Sequence, residues 1–206
     1  MKSLLQFLFI PFLVFILIGC SEMDNKEIKS EILETRQEKN EYFQNSPDSP
    51  IPVDKREQFR ALNYFPVDLD YRVTTSIDEY ADKDTVVMTT TKKREQYYLR
   101  WGYFDFTIEG RQDTLQVYQP LQTSADQEPY FFIPFYDATN NRSTYGGGRY
   151  LDIAEREKNS YVIDFNQAYN PYCAYDYERW SCPMPPMDNT VDFAIEAGEK
   201  VLYPEE

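Results

Sequence analysis

Polar side chains that could take part in catalysis or ligand binding cluster in the C-terminal half of the chain. They are Asp137, Arg149, Asp164, Asn166 and Asn170, and aromatic residues flank most of them. A carboxylate such as Asp137 or Asp164 could bind a ligand hydroxyl or act as a general base. Arg149 could hold a carboxylate, a phosphate or a developing negative charge through its forked donors. Together these residues define a candidate site.

Three consecutive glycines precede Arg149. Gly146, Gly147 and Gly148 follow Tyr145, and the whole chain contains only seven glycines. Such clustering indicates a backbone that needs positive φ or close approach by another group. One interpretation is an anion-binding nest of consecutive N–H groups beside Tyr145 and Arg149. The alternative is a tight connection where two strands cross. It is not a P-loop, because no Gly-Lys-Ser/Thr follows.

Asp164, Asn166 and Asn170 also have two interpretations. Alternation along a strand places Asp164 and Asn166 on one face, where they could bind a ligand, a cation or an attacking water. The alternative is that these short side chains bind their own backbone in turns, and Asn170 before Pro171 is a common turn opener. The chain has no calcium-loop motif. We therefore predict no metal site and no cofactor.

The chain contains no histidine. This composition excludes Ser-His-Asp and Cys-His nucleophiles and zinc motifs such as His-Glu-x-x-His. Any catalysis would have to depend on carboxylates, Lys, Tyr, Cys or a metal held by oxygen. The formal net charge is −14, and such a surface repels phosphate backbones, so nucleic acid is not expected as a partner.

Aromatic residues make up 17% of the chain, with 18 Tyr and 14 Phe. This abundance is typical of strands packed on a half-buried pleated surface. It also leaves open an aromatic-lined groove for a ligand.

Several blocks resemble the bacterial domain of unknown function (DUF) 1684 family. They are PFYDAT at 134–139, TYGGGRYL at 144–151, DFNQAYNPYCAY at 164–175, CPMPP at 182–186, AGE at 197–199 and, upstream, NYFP at 63–66. The resemblance covers roughly residues 38–203. It implies a relative but no activity, because the family is uncharacterised.

The N-terminus resembles a bacterial lipoprotein signal. Lys2 is followed by an apolar run that ends in Leu17-Ile18-Gly19-Cys20, too short for a spanning helix. We predict a signal peptide over residues 1–19, a lipid on Cys20, and attachment to the membrane through that lipid. Ser21 in place of Asp favours the outer membrane, with the domain in the periplasm or on the surface. The acidic residues that follow resemble those of some Bacteroidota lipoproteins.

If Cys20 carries lipid, Cys173 and Cys182 remain as an even pair. A disulfide between them would close a small loop in an oxidising compartment. Free structural thiols, or a metal or catalytic role, are the alternatives.

The order of elements predicts one domain that is mainly β. A helix is expected from about Lys26 to Phe43, ended by three prolines, and a second short helix from Lys55 to about Ala61, capped by Asp54. Nine strand-like runs follow at 71–77, 85–91, 96–104, 105–109, 114–119, 130–136, 149–153, 161–165 and 191–196. The residues Glu109-Gly110-Arg111-Gln112 predict a hairpin turn between two of these runs. Their close spacing predicts an antiparallel sandwich or barrel over residues 51–206, with residues 20–50 as a lipidated tether.

Three functional hypotheses fit this sequence. The first is an envelope protein that binds a small polar ligand or a protein partner. The second is a histidine-less hydrolase, with Asp164 or Asp137 as base and Arg149 holding negative charge. The third is a purely structural envelope protein, in which turns satisfy all the polar residues.

Overall fold

A computed structural model describes residues 17–121, 128–156 and 159–202. Residues 1–16, most of the predicted signal peptide, lie outside the described residues. The fold is mainly β, with antiparallel sheets and one N-terminal helix, so the predicted fold class is confirmed. Its elements are α1 (Leu17–Asn45), β1 (Arg72–Thr75), β2 (Asp78–Glu79), β3 (Thr85–Thr89), β4 (Glu95–Ile108), β5 (Arg111–Pro120), β6 (Tyr130–Phe135), β7 (Arg149–Ala154) and β8 (Tyr161–Asp164).

The strands form two sheets. The larger has the order β2-β4-β5-β6-β7, with β3 also paired to β4, and the smaller pairs β1 with β8. Every paired strand is antiparallel to its neighbour. The sheets are not closed into a barrel, which favours the sandwich of the two predicted architectures.

The two long strands β4 and β5 form a hairpin with the predicted turn. Glu109 and Gly110 have φ of 51° and 77°, the left-handed values that a tight hairpin turn requires. The sequence suggested two strands between 96 and 109, but β4 is continuous. The strand contains a bulge between Arg100 and Gly102, where one extra residue shifts which side chains face the core. This bulge does not coincide with the predicted break between residues 104 and 105.

The large sheet buries apolar residues on both faces. Phe104 belongs to the main core between the sheets, whereas Tyr98 belongs to a second cluster on the opposite face. The second cluster joins Tyr98, Phe132 and Tyr150, whose neighbouring ring centroids are 5.3 and 4.8 Å apart. Tyr150, the last ring of this series, borders an open cleft at the protein surface.

Helix α1 is longer than predicted and packs partly on the domain. It ends at Asn45, just before the first proline. Ile32 and Phe43 are buried, and Phe43 packs with Phe59 and Tyr175. The segment predicted as a tether over residues 20–50 therefore contributes core side chains from Ile32 onward. No helix among the described residues is long and apolar enough to cross a membrane.

The second predicted helix is much shorter than expected. A single turn of 3-10 helix spans Val53–Lys55, and Asp54 lies inside this turn instead of capping it. The position before the turn is Pro52, which supplies no side-chain acceptor for a cap.

The C-terminal segment is buried without joining a sheet. Val191, Phe193, Ile195 and Ala197 alternate into the main core as the predicted strand requires. Their backbone, however, pairs with the loop after β6 and with side chains, so this run is not a strand. The alternating pattern predicts which side chains are buried, but it does not identify the segment to which the backbone of this run is hydrogen-bonded.

Candidate functional site

Arg149 and Asp137 form an ion pair in the interior. Both side chains have zero exposure, and Nη2 of Arg149 donates to Oδ2 of Asp137. The same guanidinium donates to the carbonyl oxygens of Ala197 and, at 2.8 Å, Ile195. Burial lowers the pKa of Arg149, and Asp137 opposes that shift. Arg149 therefore holds the C-terminal segment instead of an incoming anion.

Asp137 is equally engaged through its other oxygen. Its Oδ1 accepts from the backbone N–H of Thr139 at 2.6 Å and from the Thr139 hydroxyl. Both carboxylate oxygens are therefore bound to protein groups and shielded from solvent. This arrangement favours a structural role over the general base of the hydrolase hypothesis.

The glycine run is explained by close packing. A Cβ on Gly146 would lie 1.9 Å from Oδ1 of Asn141, and one on Gly148 would lie 2.9 Å from the carbonyl oxygen of Phe135. Gly148 alone of the three has positive φ, at 86°. These contacts favour the tight connection over the anion nest. Tyr145, Gly146 and Gly147 nevertheless line an open cleft of about 470 Å³.

Asp164 and Asn166 connect the end of β8 to the segment around Asp68 and Arg72, where β1 begins. Oδ1 of Asp164 accepts from the backbone and side chain of Asn166 at 3.0 and 2.9 Å, and Oδ2 pairs with Nε of Arg72 at 3.3 Å. The Asn166 amide bonds to the backbone N–H and C=O of Asp68 at 3.0 and 2.7 Å. Asp164 also borders a cleft of about 220 Å³, separate from that of the glycines.

The structure does not bring the predicted residues into one site. Asp137 and Arg149 are interior, Tyr145 and Gly146 border one cleft, and Asp164 borders another. Within the described ranges no cluster of three or more Cys, Asp or Glu residues could hold a metal ion.

Cys173 and Cys182 lie at disulfide distance. Their Cα atoms are 6.1 Å apart, within the usual range for a bridge. The pair joins the two ends of a loop that contains Trp180. This loop forms one wall of the aromatic cleft described below.

Glu199 is a buried carboxylate that connects four parts of the chain. It is 1% exposed. Lys39 of α1 donates to Oε1 at 2.6 Å, and the Tyr64 hydroxyl lies 3.4 Å from the same atom. Oε2 accepts from the Tyr175 hydroxyl at 2.7 Å and from the backbone N–H of Asn170 at 2.8 Å. Asn170 thus binds Glu199 through its backbone N–H, and its side-chain amide donates to the carbonyl oxygen of Lys200, the residue after Glu199.

An open cleft with aromatic walls lies next to this network. We call it the aromatic cleft, and its volume is about 440 Å³. Its lining consists of Lys39, Tyr150, Asp152, Tyr169, Pro171, Tyr172, Trp180, Ser181, Cys182 and Pro183. The rings of Tyr172 and Trp180 meet edge to face at 4.9 Å, and those of Tyr150 and Tyr169 at 5.6 Å.

Asp152 supplies the carboxylate of the aromatic cleft. Its Oδ2 accepts from the Tyr169 hydroxyl at 2.6 Å. Although the residue is exposed, partial desolvation by neighbouring protein atoms raises the pKa of its carboxyl. The Tyr169 hydrogen bond and the charge of Lys39 oppose the shift. A carboxylate beside aromatic rings is suited to a hydroxyl or a cationic group.

Sequence reasoning missed both Asp152 and Glu199 as site residues. Asp152 lies in β7, where one acidic residue on an edge strand looks like ordinary solvated surface. Glu199 ends the AGE block, and its link to Lys39 joins residues 160 positions apart, which no local pattern reveals. The available signal was the aromatic stretch at 169–172, in which Tyr169, Pro171 and Tyr172 line the aromatic cleft.

We predict that Asp137→Asn destabilises the fold strongly. The substitution leaves the Arg149 charge buried without its partner, and breaking such a pair costs about 3–5 kcal/mol. The free energy of unfolding from urea titrations measures the loss. Glu109→Gln is the matched control, because it removes the exposed pair with Arg111 and should cost less than about 1 kcal/mol. A similar small loss for both variants would contradict the structural role of the interior pair.

The Asp152 carboxyl should give stability an acid-range pH dependence. Because its folded pKa is raised above 3.8, the folded protein keeps this proton to higher pH than the unfolded chain does. The wild type should therefore lose stability relative to Asp152→Asn as pH rises through the window just above 3.8. Thermal melts across that window measure the difference, with Asp192→Asn as an exposed control. Parallel curves for wild type and Asp152→Asn would rule out the raised pKa.

Comparisons with known proteins agree with the resemblance seen in the sequence. The chain is similar to an uncharacterized protein of Haloarcula marismortui with a solution NMR structure, at 32% identity and a TM-score of 0.66. That match covers 87% of this chain and 97% of the other. No curated protein shows significant similarity to the chain. The sequence profile of the family described as "protein of unknown function (DUF1684)" matches residues 57–200. The chain therefore belongs to the DUF1684 family.

Proposed function

We propose that this protein is a lipid-anchored envelope protein that binds a small polar ligand in the aromatic cleft. The observation that carries the proposal is the cleft itself. Its volume of about 440 Å³ falls in the range of small-molecule sites, which are mostly apolar with a few placed polar groups. Five of its lining residues, from Tyr169 to Pro183, belong to sequence blocks that characterise the family.

The groups in the cleft indicate the class of ligand. Asp152 offers a carboxylate, and the rings of Tyr150, Tyr172 and Trp180 offer apolar walls. Lys39 borders the cleft, but Glu199 already neutralises its charge. We therefore expect a ligand with hydroxyl or ammonium groups and no net negative charge, which also suits a chain of net charge −14.

The proposed location comes from the N-terminal sequence. The Leu17-Ile18-Gly19-Cys20 motif after a short apolar run supports cleavage before Cys20 and a lipid on its sulfur. In this proposal the lipid is the membrane partner, and Ser21 favours the outer membrane. The acidic residues after Cys20 favour an origin in the Bacteroidota. A disulfide between Cys173 and Cys182 would then stabilise the Trp180 wall in an oxidising compartment.

A thermal-shift screen of the full chain tests the ligand site. The probes are choline, lysine, glucose and inorganic phosphate, and we expect a cationic or hydroxylated probe to raise the melting temperature while phosphate does not. Asp152→Asn and Tyr169→Phe should each abolish that shift, whereas Asp192→Asn, an equal change of charge on the exposed surface, should preserve it. A shift that survives Asp152→Asn would place the ligand elsewhere, and the absence of any shift would count against this ligand class.

Cell fractionation tests the anchor. Because only the Cys20 thiol can receive the lipid, Cys20→Ser should move the protein out of the membrane fraction. Ser21→Ala keeps the cysteine and should leave the protein there. If Cys20→Ser still fractionated with membranes, the anchor and the location built on it would have to be withdrawn.

A further inference from the structure

Helix α1 places two cationic side chains in one groove of the domain. Lys39 pairs with Glu199 at 2.6 Å. Three positions earlier on the same helix face, Arg36 donates to the carbonyl oxygens of Phe65 and Asn166 at 2.9 and 3.1 Å. We call the receiving surface, formed by Tyr64, Phe65, Asn166, Tyr169 and Glu199, the cation groove.

Aromatic faces complete both positions. Nζ of Lys39 lies 4.7 Å from the ring centroid of Tyr169. The guanidinium carbon of Arg36 lies 4.4 Å from that of Tyr64. A carboxylate together with ring faces is the combination by which proteins recognise ammonium groups. Lys39 thus occupies a site with the composition of an ammonium receptor.

The groove and its occupant belong to different parts of the chain. All five groove residues fall within residues 57–200, the part matched by the family, whereas Arg36 and Lys39 precede it. The other donors to Glu199, from Tyr64, Asn170 and Tyr175, are neutral. Lys39 is therefore the one cation in direct contact with this carboxylate among the described residues, and its side chain is 27% exposed.

Packing between α1 and the groove is incomplete. A cavity of about 140 Å³ remains there, bordered by Arg36, Lys39, Tyr64 and Asn166 among others. A tightly interlocked core would leave no such space. The buried side chain of Ile32 also borders this space. The contact thus combines apolar, polar and cationic groups around a gap, whereas Phe43 farther along the helix packs among apolar and aromatic side chains.

We propose that the cation groove is a binding site for primary ammonium groups, which Lys39 of the same chain occupies. An amine ligand or a basic segment of a partner would compete with α1 for Glu199. The proposal goes beyond ligand binding in the aromatic cleft and does not depend on it, although Tyr169 and Lys39 border both sites.

Chemical rescue tests the site in the full chain. Lys39→Ala removes the atoms that n-propylammonium supplies, so this probe should raise the melting temperature of the variant by roughly 2–4 °C. Neither n-propanol nor sodium chloride at equal concentration should do so. The chain that keeps Lys39 should not respond in the Asp152→Asn background, which removes binding in the aromatic cleft, because its tethered Lys39 holds the site at high effective concentration.

Two double variants locate the rescue. Lys39→Ala/Glu199→Gln should lose it, because the carboxylate that attracts the ammonium is gone, and this variant should itself be more stable than Lys39→Ala. Lys39→Ala/Asp152→Asn should keep the rescue, which separates this site from the aromatic cleft. Rescue lost with Asp152→Asn but kept with Glu199→Gln would overturn the proposal, as would equal rescue by n-propanol or no rescue.

If Lys39→Ala does not fold in buffer, refolding from urea provides the same test. Recovery of folded protein with n-propylammonium, but not with n-propanol, would support the ammonium site. Failure to fold with either additive would overturn it.

Discussion

The interior guanidinium of Arg149 is the interaction on which the other features depend. The C-terminal segment has no strand partner, and its carbonyls at Ile195 and Ala197 bind Arg149 instead. Asp137 neutralises the buried charge. Glu199 lies two residues beyond Ala197, and backbone hydrogen bonds to Asn63, Phe65 and Ala168 hold the same stretch. Glu199 then receives Lys39, which joins α1 to the domain beside the packing of Phe43. The buried cation therefore helps to position the tail, the acidic network and the helix.

The irregular backbone of the C-terminal segment explains why so many polar side chains are buried near the C-terminus. Between Phe165 and Leu202 the chain forms only short 3-10 turns and loops, yet it passes through the interior. Buried backbone groups must still be paired. Asn189 shows the solution: its amide binds the backbone N–H and C=O of Gln116 and the carbonyl of Pro134. Such side chains replace the hydrogen bonds that a strand would have supplied.

Local patterns were sufficient to predict most of the fold. Alternating apolar residues, the Glu109-Gly110 turn and the prolines after Asn45 each predict an element that depends on neighbouring residues only. The bulge in β4 and the unpaired run near Phe193 depend on what lies opposite, which no single segment specifies.

The candidate site was harder to predict for the same reason. Asp137 and Arg149 have the residue types of a catalytic pair, and only burial separates a structural pair from a reactive one. Asp152 and Glu199 gain their significance from residues distant in sequence.

The continuity of α1 has a mechanical consequence. The helix runs unbroken from Leu17 to Asn45, and among its side chains described from Asp24 onward the first that is buried is Ile32. A helix rises 1.5 Å per residue, so Cys20 stands about 18 Å from that contact. If Cys20 carries a lipid inserted in the bilayer, a rigid helix and not a flexible linker would connect that lipid to the domain. The length of this helix would limit how far the contacts at Arg36 and Lys39 can lie from the bilayer surface.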